Sequence, residues 1–320
     1  MGSDSLEGLD VYPVEVPMRL RFRRVDRREA VLIHGPAGWG EFSPFPEYPP
    51  EVTSRWLASA LEAACVGLPE PIRDRIPVNL TVPAVDPETA RQMVASSDSD
   101  TVKVKVAEPG QDHAQDMARL EAVRDALGST GSIRIDANAV WEVDEAIRRI
   151  DDMERFGLQY VEQPVATIEE MRRLRKAVEV PLAADELIRR LPDPLEVVEQ
   201  EAADVIVLKV QPLGGARRTL EIAARAGLPA VISSALETSI GLAAGLAAAA
   251  ALPELELACG LGTASLLERD VVGDPLLAVS GELVVRRPEP DPNLLEECRP
   301  EPDTSDRMLR RLREAAELLA

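Results

Sequence analysis

Lysine is rare in this chain, and its placement is the first indication of chemistry. Only four of the 36 basic residues are lysines, and three of them, Lys103, Lys105 and Lys209, lie within apolar runs rich in β-branched residues. Arginine keeps its proton in proteins, whereas a lysine near other positive charge or away from water can release it. Codon bias in a GC-rich genome would explain why lysine is rare, but not why it is kept here. The placement therefore indicates proton transfer.

Acidic residues lie at the ends of three consecutive apolar runs: Asp136, Glu162 and Asp185. The steps from Lys105 through these three acids to Lys209 are 31, 26, 23 and 24 residues, each about the length of one βα unit. The ends of successive parallel strands converge at one edge of a barrel, so the sequence predicts that these side chains meet. A helix cap or a surface ion pair would explain any one of the acids alone, but hardly all three.

The predicted cluster favours a divalent metal. Side chains two residues apart face the same side of a strand, which places Lys103 with Lys105 and Arg134 with Asp136. Carboxylates that converge must repel one another or share a cation, and their hard oxygen atoms suit Mg²⁺, with Mn²⁺ as a substitute. We therefore predict metal-assisted removal of a proton next to a substrate carboxylate, with a lysine as the base.

A competing interpretation places Lys103 and Lys105 in solvent on an amphipathic edge strand. The apolar neighbours of Lys209, Val-Ile-Val-Leu before it and Val after it, make that interpretation weaker there.

The hydrophobic pattern predicts the elements that position these residues. Alternation over residues 9–45 predicts an antiparallel meander, and residues 50–66 a helix. After residue 77, short apolar runs alternate with amphipathic stretches, the pattern of repeated βα units and a parallel sheet. Eight runs, the number that closes a barrel, lie at residues 78–82, 101–106, 132–138, 158–164, 181–186, 204–210, 229–235 and 255–260. Helices are predicted at residues 112–127, 142–156, 167–179, 215–226, 239–251 and 306–319.

These elements predict an α/β fold in three parts. Residues 1–76 form a small N-terminal α+β capping domain, residues 77–268 form the barrel, and residues 269–320 pack back on the capping domain. The length of 320 residues fits one barrel with an appended small domain.

Composition excludes several functional classes. The net charge of −20 and the isoelectric point near 4.6 oppose binding to nucleic acid or to an anionic membrane surface. Three separated cysteines are typical of reduced cytosolic thiols, and two histidines argue against a histidine-rich metal site. We expect no targeting signal at the N-terminus, and residues 240–252 are too few to cross a bilayer. The expectation is a soluble cytoplasmic protein that acts on a small-molecule carboxylate, without nucleic acid and without membrane insertion.

Five motifs at these positions resemble the enolase superfamily, specifically its muconate-lactonizing-like branch. They are KVKV at Lys103 and Lys105, DANAVW at Asp136, VEQP at Glu162, ADE at Asp185 and LKVQPLGG at Lys209. The similarity extends over nearly the whole chain and implies a modified TIM-type (β/α)7β barrel with a small α+β capping domain. Because the superfamily uses a Lys or His base with Mg²⁺, the resemblance implies a Mg²⁺ ion held by Asp136, Glu162 and Asp185.

Three further segments are most similar to the o-succinylbenzoate synthase family of this branch: ISSALETSIGL (232–242), GLGT (260–263) and GWGEFSPF (38–45). That family dehydrates 2-succinyl-6-hydroxy-2,4-cyclohexadiene-1-carboxylate to 2-succinylbenzoate in menaquinone biosynthesis. The resemblance implies that Lys105 removes the α-proton and then protonates the departing hydroxide. Lys209 would stabilise the enediolate from the opposite face, and Lys103 would tune Lys105. Further candidates for holding the substrate, with ordinary barrel-edge packing as the alternative, are Arg134, Ser233, Ser234 and Gly260.

Two other functions compete with this one. Racemisation of N-acylamino acids or epimerisation of dipeptides would use the two lysines as bases on opposite faces, and the chain lacks nothing that this needs. The chain could also be a non-catalytic barrel that serves as an acidic binding or scaffold protein. Such a protein would not need proton-donating residues at the rim of the barrel, yet every group that the reaction requires is present there. Only about 76 residues precede the barrel, so little chain is left for loops that close over a substrate, and the sequence singles out no specificity residue there.

Overall fold

An antiparallel sheet and a helix, here called the cap, form the N-terminal part of the chain. The computed structural model describes residues 6–22 and 25–319; residues 1–5, part of the stretch in which we expect no targeting signal, lie outside the described residues. Strands β1 (Asp10–Phe22), β2 (Val25–Gly35) and β3 (Gly38–Phe42) pair in that order, as the predicted meander requires. Their apolar face packs on helix α1 (Pro50–Leu61), which a π-helical turn at Glu62–Val66 extends.

Seven parallel strands form the barrel sheet, each hydrogen-bonded to the next in chain order. Just before them, β4 (Arg75–Pro77) pairs antiparallel with β12 (Glu282–Val284). The seven are β5 (Leu80–Val82), β6 (Thr101–Lys105), β7 (Ser132–Asp136), β8 (Leu158–Glu162), β9 (Leu182–Ala184), β10 (Val205–Leu208) and β11 (Ala230–Ile232). Apolar side chains cover both faces, as expected of a parallel sheet with helices outside and packed side chains inside.

The eighth strand, predicted at residues 255–260, is reduced in the structure to bridges at residues 259 and 260. Within that segment, Cys259 and Gly260 make isolated parallel bridges to Val78 and Ser233, respectively. The carbonyl oxygen of Ala258 accepts a hydrogen bond from an arginine side chain instead of joining a ladder. Two residues therefore close the sheet between its first and last strands, and the modified TIM-type (β/α)7β barrel with an α+β cap is confirmed.

Helices fill the intervals between the strands. The predicted helices are present, one with the predicted ends, α10 (Ser239–Ala251), and five with shifted ends: α3 (His113–Leu127), α4 (Val143–Glu154), α5 (Ile168–Arg175), α9 (Ala216–Ala226) and α12 (Pro302–Glu317). The sequence does not predict five further helices: α2 (Pro87–Ala95), α6 (Glu186–Arg190), α7 (Glu196–Glu199), α8 (Val210–Leu213) and α11 (Pro292–Glu297). Four of them have four to six residues, which is too few to show a helical period.

Helix α12 contributes to the core of the cap. Its buried residues Met308, Leu312 and Ala315 belong to the same apolar cluster as strands β1 and β2 and helix α1. The domain boundaries at residues 76 and 268 stay a prediction. None of the helices in the part of the chain that the structure describes has the length and apolar character that crossing a membrane requires.

A buried carboxylate from the cap lies at the N-terminus of the barrel helix α10. Glu41 on β3 accepts hydrogen bonds from the backbone N–H groups of Thr238 at 3.3 Å and Gly241 at 3.0 Å, and from the Thr238 hydroxyl. The first N–H groups of a helix lack partners within the helix and favour a negative charge. Burial nevertheless dominates and raises the pKa of Glu41 to about 7.

Replacing Gly40 with alanine should destabilise the fold. A Cβ atom at this position would lie 2.0 Å from the backbone oxygen of Ala60 on α1, and backbone cannot rotate away as a side chain can. Overpacking of this kind costs about 1–3 kcal/mol. Urea unfolding of Gly40→Ala should show that loss. Gly273→Ala is the matched control, because open space surrounds Gly273, and its stability should stay within about 0.5 kcal/mol of wild type. Equal effects of the two substitutions would contradict the close approach of β3 to α1.

The raised pKa of Glu41 predicts a pH-dependent contribution to stability. A carboxyl whose pKa rises on folding binds its proton more tightly in the folded state, so its contribution is complete below the unfolded pKa of 4.5 and is lost as the pH rises through about 7. This shift corresponds to about 3 kcal/mol. Between pH 5 and pH 8 in urea unfolding, the stability of wild type should fall by about 2.5 kcal/mol relative to that of Glu41→Gln, which cannot ionise. Parallel pH profiles of the two proteins would show that Glu41 is not the group responsible.

Candidate active site

A cavity lies at the carboxyl ends of the barrel strands, on the side that the cap covers. The cap contributes Phe45 to its wall, and the segment after β11 contributes Ala235 and Leu236. Seven of the ten residues that the sequence analysis singles out also line it: Lys103, Lys105, Asp136, Lys209, Ser233, Ser234 and Gly260. The cavity is where parallel-barrel enzymes hold their reacting groups.

Strand register brings two lysines against two carboxylates. Lys105 on β6 lies beside Asp136 on β7, which lies beside Glu162 on β8. The Lys105 Nζ atom is 2.6 Å from Asp136 Oδ2. The Lys103 Nζ atom is 3.0 and 3.1 Å from the two Glu162 carboxylate oxygens and 3.3 Å from Asp136 Oδ2. All four residues are buried, so each charge depends on its neighbours for compensation.

A second charge cluster lies across the barrel. Strands β7, β8 and β9 separate β10 from β6 in the sheet, which places Lys209 on the far side of the cavity from Lys105. The Lys209 Nζ atom pairs with Asp185 Oδ2, and Arg189 Nε donates to Asp185 Oδ1 at 3.2 Å. Arg189 also pairs with Glu186 at 2.6 Å. Helices α6 and α8 begin directly after Asp185 and Lys209, and so set the direction in which these side chains leave the sheet.

Burial and neighbouring charges shift the acids in opposite directions. Burial, then the charge of Asp136, raises the pKa of Glu162 to about 7, although Lys103 opposes the shift. Burial would also raise the pKa of Asp136 and of Asp185, but nearby ammonium groups outweigh it. Lys105 and Lys103 hold the pKa of Asp136 below its usual range, and Lys209 and Arg189 do the same for Asp185.

The pKa values of two of the lysines are also shifted in opposite directions. Burial alone would lower the pKa of Lys103, but the charges of Glu162 and Asp136 outweigh burial and raise it. Burial lowers the pKa of Lys209, with Asp185 opposing that shift. Burial therefore dominates at Lys209, whereas neighbouring carboxylates dominate at Lys103.

The three acids fit a divalent cation by their chemistry. In the present arrangement, across residues 6–22 and 25–319, no three histidine, cysteine, aspartate or glutamate side chains are grouped so as to hold a metal ion. Each of the acids Asp136, Glu162 and Asp185 is instead paired with an ammonium group. Yet the Lys103 Nζ atom lies within 3.3 Å of both Asp136 and Glu162, and the charges of Asp136 and Asp185 both raise the pKa of Glu162. Hard oxygen donors under mutual repulsion are what Mg²⁺ or Mn²⁺ would stabilise.

The remaining candidates for holding the substrate differ in position. Ser233 and Gly260 face the cavity, and a Cβ atom on Gly260 would lie 2.6 Å from Ser233 Oγ, so only glycine fits there without a shift. The Ser234 hydroxyl donates to Glu237 Oε2 at 2.5 Å and accepts from the Thr263 hydroxyl at 2.7 Å. The hydrogen bonds of Ser234 are therefore made within the protein, and they stabilise the turn that follows β11.

Arg134 lies below the cavity, fully buried inside the barrel. Its guanidinium group donates to Gln159 at 2.7 Å, to Asn79 at 3.2 Å and to the carbonyl oxygen of Ala258 at 2.7 Å. It also stacks on the Tyr160 ring, 4.7 Å from the ring centroid. These contacts hold the closing segment of the barrel against its interior.

Sequence reasoning misses several residues that shape the site. The Asn138 side chain donates a hydrogen bond to Glu186 through its amide nitrogen, and its Oδ1 atom accepts one from Lys105 Nζ at 2.5 Å. Gln163 accepts hydrogen bonds from the N–H groups of Asp185 at 3.0 Å and Leu187 at 3.1 Å. Both have positive φ angles, of 48° and 38°, which are unusual for residues other than glycine. Position along the chain could have indicated them, because Asn138 and Gln163 lie within two residues of strand ends that carry an acid.

Comparison with known proteins matches both parts of the chain. Residues 86–292 match the family described as Enolase C-terminal domain-like, and residues 13–64 match the family described as Enolase N-terminal domain-like. Among solved structures, muconate lactonizing enzyme from Pseudomonas fluorescens has a TM-score of 0.80 and 24% identity, with 92% of this chain and 99% of that chain covered. The L-Ala-D/L-Glu epimerase from Bacillus subtilis has a TM-score of 0.74 and 23% identity over 88% and 96% of the two chains. At these identities the structures show the fold alone.

Curated relatives are much more similar in sequence. The o-succinylbenzoate synthase of Thermobifida fusca is 60% identical over 272 residues, which cover 85% of this chain and 86% of that protein. The protein of the same name from Mycolicibacterium smegmatis is 52% identical over 90% of this chain and 89% of its own length. These matches and the match over residues 86–292 show that the chain belongs to the enolase superfamily.

Proposed function

We propose that this chain catalyses the o-succinylbenzoate synthase reaction, the dehydration of 2-succinyl-6-hydroxy-2,4-cyclohexadiene-1-carboxylate to 2-succinylbenzoate in menaquinone biosynthesis. The observation that carries the proposal is the pair of buried lysines, Lys105 and Lys209, on opposite sides of one cavity beside three carboxylates. The identity of 51–60% to proteins named for this reaction supports the same assignment. The enzyme is a hydro-lyase, a class of carbon–oxygen lyase.

Lys105 would act as base and then as acid. Its amine takes the proton on the ring carbon that bears the carboxylate, and the electron pair of the C–H bond moves toward that carboxylate. The pair then returns as the neighbouring C–O bond breaks, and the Lys105 ammonium group protonates the departing hydroxide to give water. The product ring is aromatic. Lys103, whose Nζ atom is 3.3 Å from the same Asp136 oxygen that Lys105 contacts, would tune Lys105, as the resemblance implies.

Lys209 would stabilise the negative charge that develops on the substrate. It faces Lys105 across the cavity and is already paired with Asp185, whose other oxygen is bound by Arg189. This arrangement fixes the ammonium group before the substrate arrives, as electrostatic stabilisation of a transition state requires.

Enzymes of the enolase superfamily typically use a divalent metal, and we assign that role here to Mg²⁺, with Mn²⁺ as a substitute. Asp136, Glu162 and Asp185 would hold the ion, and it would supply positive charge next to the substrate carboxylate as the α-proton leaves. The partner is thus a small dicarboxylate that meets a locally basic cavity in a chain of net charge −20. A cytoplasmic location belongs to the proposal and is supported by three free cysteines, Cys65, Cys259 and Cys298.

Dipeptide epimerisation and N-acylamino acid racemisation remain the alternative reactions on the same residues. The epimerases among the solved structures are 22–23% identical to this chain and support the fold only. Purified protein with Mg²⁺ should be assayed with the cyclohexadiene, with N-succinylamino acids and with dipeptides. Turnover of an amino-acid substrate far faster than that of the cyclohexadiene would overturn the proposal.

Lys105 should be indispensable for dehydration. Lys105→Ala removes the base, and Lys105→Arg keeps a positive charge that cannot leave, so both should lower kcat by at least about 10²-fold. Steady-state assays, with circular dichroism to verify folding, measure this effect. Lys176→Ala is the matched control, because Lys176 is the exposed lysine of the chain. Full activity in either Lys105 variant would remove Lys105 from its assigned role.

The three acids should bind the metal together. Treatment with a chelator should abolish dehydration, and added Mg²⁺ or Mn²⁺ should restore it. Because a ligand that binds the folded state stabilises it, a metal concentration about 100 times Kd should raise the free energy of unfolding of the wild type by about 2.7 kcal/mol. Glu162→Gln should require a higher metal concentration for the same stabilisation. Stabilisation that Glu162→Gln leaves unchanged would place the metal elsewhere.

A further inference from the structure

The loop between β3 and α1, residues 43–49 and here called the cap loop, forms part of the wall of the cavity. Phe45 is buried in this loop and faces the cavity, and its ring packs edge-on against Trp56 with centroids 6.2 Å apart. The Tyr48 hydroxyl accepts a hydrogen bond from Arg189, which pairs with Asp185. The position of the cap loop therefore affects both the cavity wall and a candidate metal ligand.

The cap loop contains three prolines, Pro44, Pro46 and Pro49, which lack N–H donors. One backbone hydrogen bond lies within the loop, from the Tyr48 N–H to the Phe45 carbonyl oxygen at 3.2 Å. Loop carbonyl groups at this depth need donors from elsewhere, because a buried carbonyl without a partner is costly.

Two arginine side chains from distant parts of the chain supply these donors. Arg28, fully buried on β2, donates to the carbonyl oxygen of Ser43. Arg311 on α12 donates to the carbonyl oxygens of Pro44 at 3.1 Å, of Tyr48 at 2.8 Å and of Phe45. One guanidinium group thus binds three carbonyl groups of one short loop. Its planar, rigid fork of donors suits such a task, whereas an ammonium group is a point charge on a flexible stem.

We propose that Arg311 is a positioning residue for the reaction: from the C-terminal helix it holds the cap loop so that Phe45 forms a fixed wall of the substrate cavity. This inference rests on the proposed function. Arg311 does not line the cavity. Its effect on the substrate is therefore transmitted through the loop.

The test compares Arg311→Met with Arg310→Met, a change at the neighbouring and exposed position of the same helix. Arg311→Met should raise KM for the cyclohexadiene about tenfold and change kcat by less than about threefold, because a cavity wall contributes binding more than chemistry. Amide hydrogen exchange in the cap loop should become faster in this variant and not in Arg310→Met. Arg311→Lys keeps the positive charge but loses the planar set of donors, so its KM should also lie above that of wild type. If Arg311→Met does not fold, Arg311→Lys is used in its place.

A double-mutant cycle tests the route through Phe45. If Arg311 acts by holding Phe45, then Arg311→Met should change KM much less in a Phe45→Ala background than in wild type. Additive effects would overturn the proposal, as would a wild-type KM in Arg311→Met. Unchanged exchange of the cap loop in Arg311→Met would also refute it, whatever the substrate. By contrast, a wild-type protein that does not dehydrate the cyclohexadiene contradicts the proposed function. The hydrogen-exchange comparison does not depend on the substrate, so it distinguishes that failure from a failure of Arg311 to hold the cap loop.

Discussion

Compensation of buried charge is the constraint on which the rest of the structure depends. Lys103, Lys105 and Lys209 lie less than a tenth exposed inside a barrel, where an unpaired charge would cost several kcal/mol. Each is matched by a carboxylate from a different strand end, so the register of β6 through β10 cannot slip without leaving a charge alone. The same pairing prepares the site for proton transfer, because charged groups held this closely shift one another's pKa values.

Local backbone strain is concentrated where these charges meet. Asn138 and Gln163 lie within two residues of the strand ends at Asp136 and Glu162. Leu236, with φ of 65°, lines the cavity after β11. Surrounding hydrogen bonds hold these residues in place, such as those from Arg28 Nε to the Leu236 carbonyl oxygen and from the Leu236 N–H to Ser234. Residues in such conformations persist only where neighbours determine them, and they cluster at functional sites.

Much of the barrel and the lysine and carboxylate positions could be predicted, because they follow from period and spacing. Strand ends one βα unit apart lead to one edge of a sheet, so Lys105 and Asp136 could be placed together without coordinates. Contacts between residues about 200 or more positions apart, such as Arg28 with Leu236 and Arg311 with the cap loop, leave no periodic signal. The eighth strand is shorter than its apolar run for a related reason: an apolar run predicts burial, but the length of a strand depends on hydrogen-bond partners that a single sequence does not reveal.

The packing of α12 on the cap has a consequence for synthesis of the chain. The cap strands and α1 are translated before the barrel, yet part of the apolar core that they need, including Met308 and Leu312, is translated after it. Until then, part of the apolar surface of the cap lacks its α12 partner, while barrel units can already pack on one another. Because domains generally fold as they emerge, the cap would complete its core only after the barrel has been synthesised.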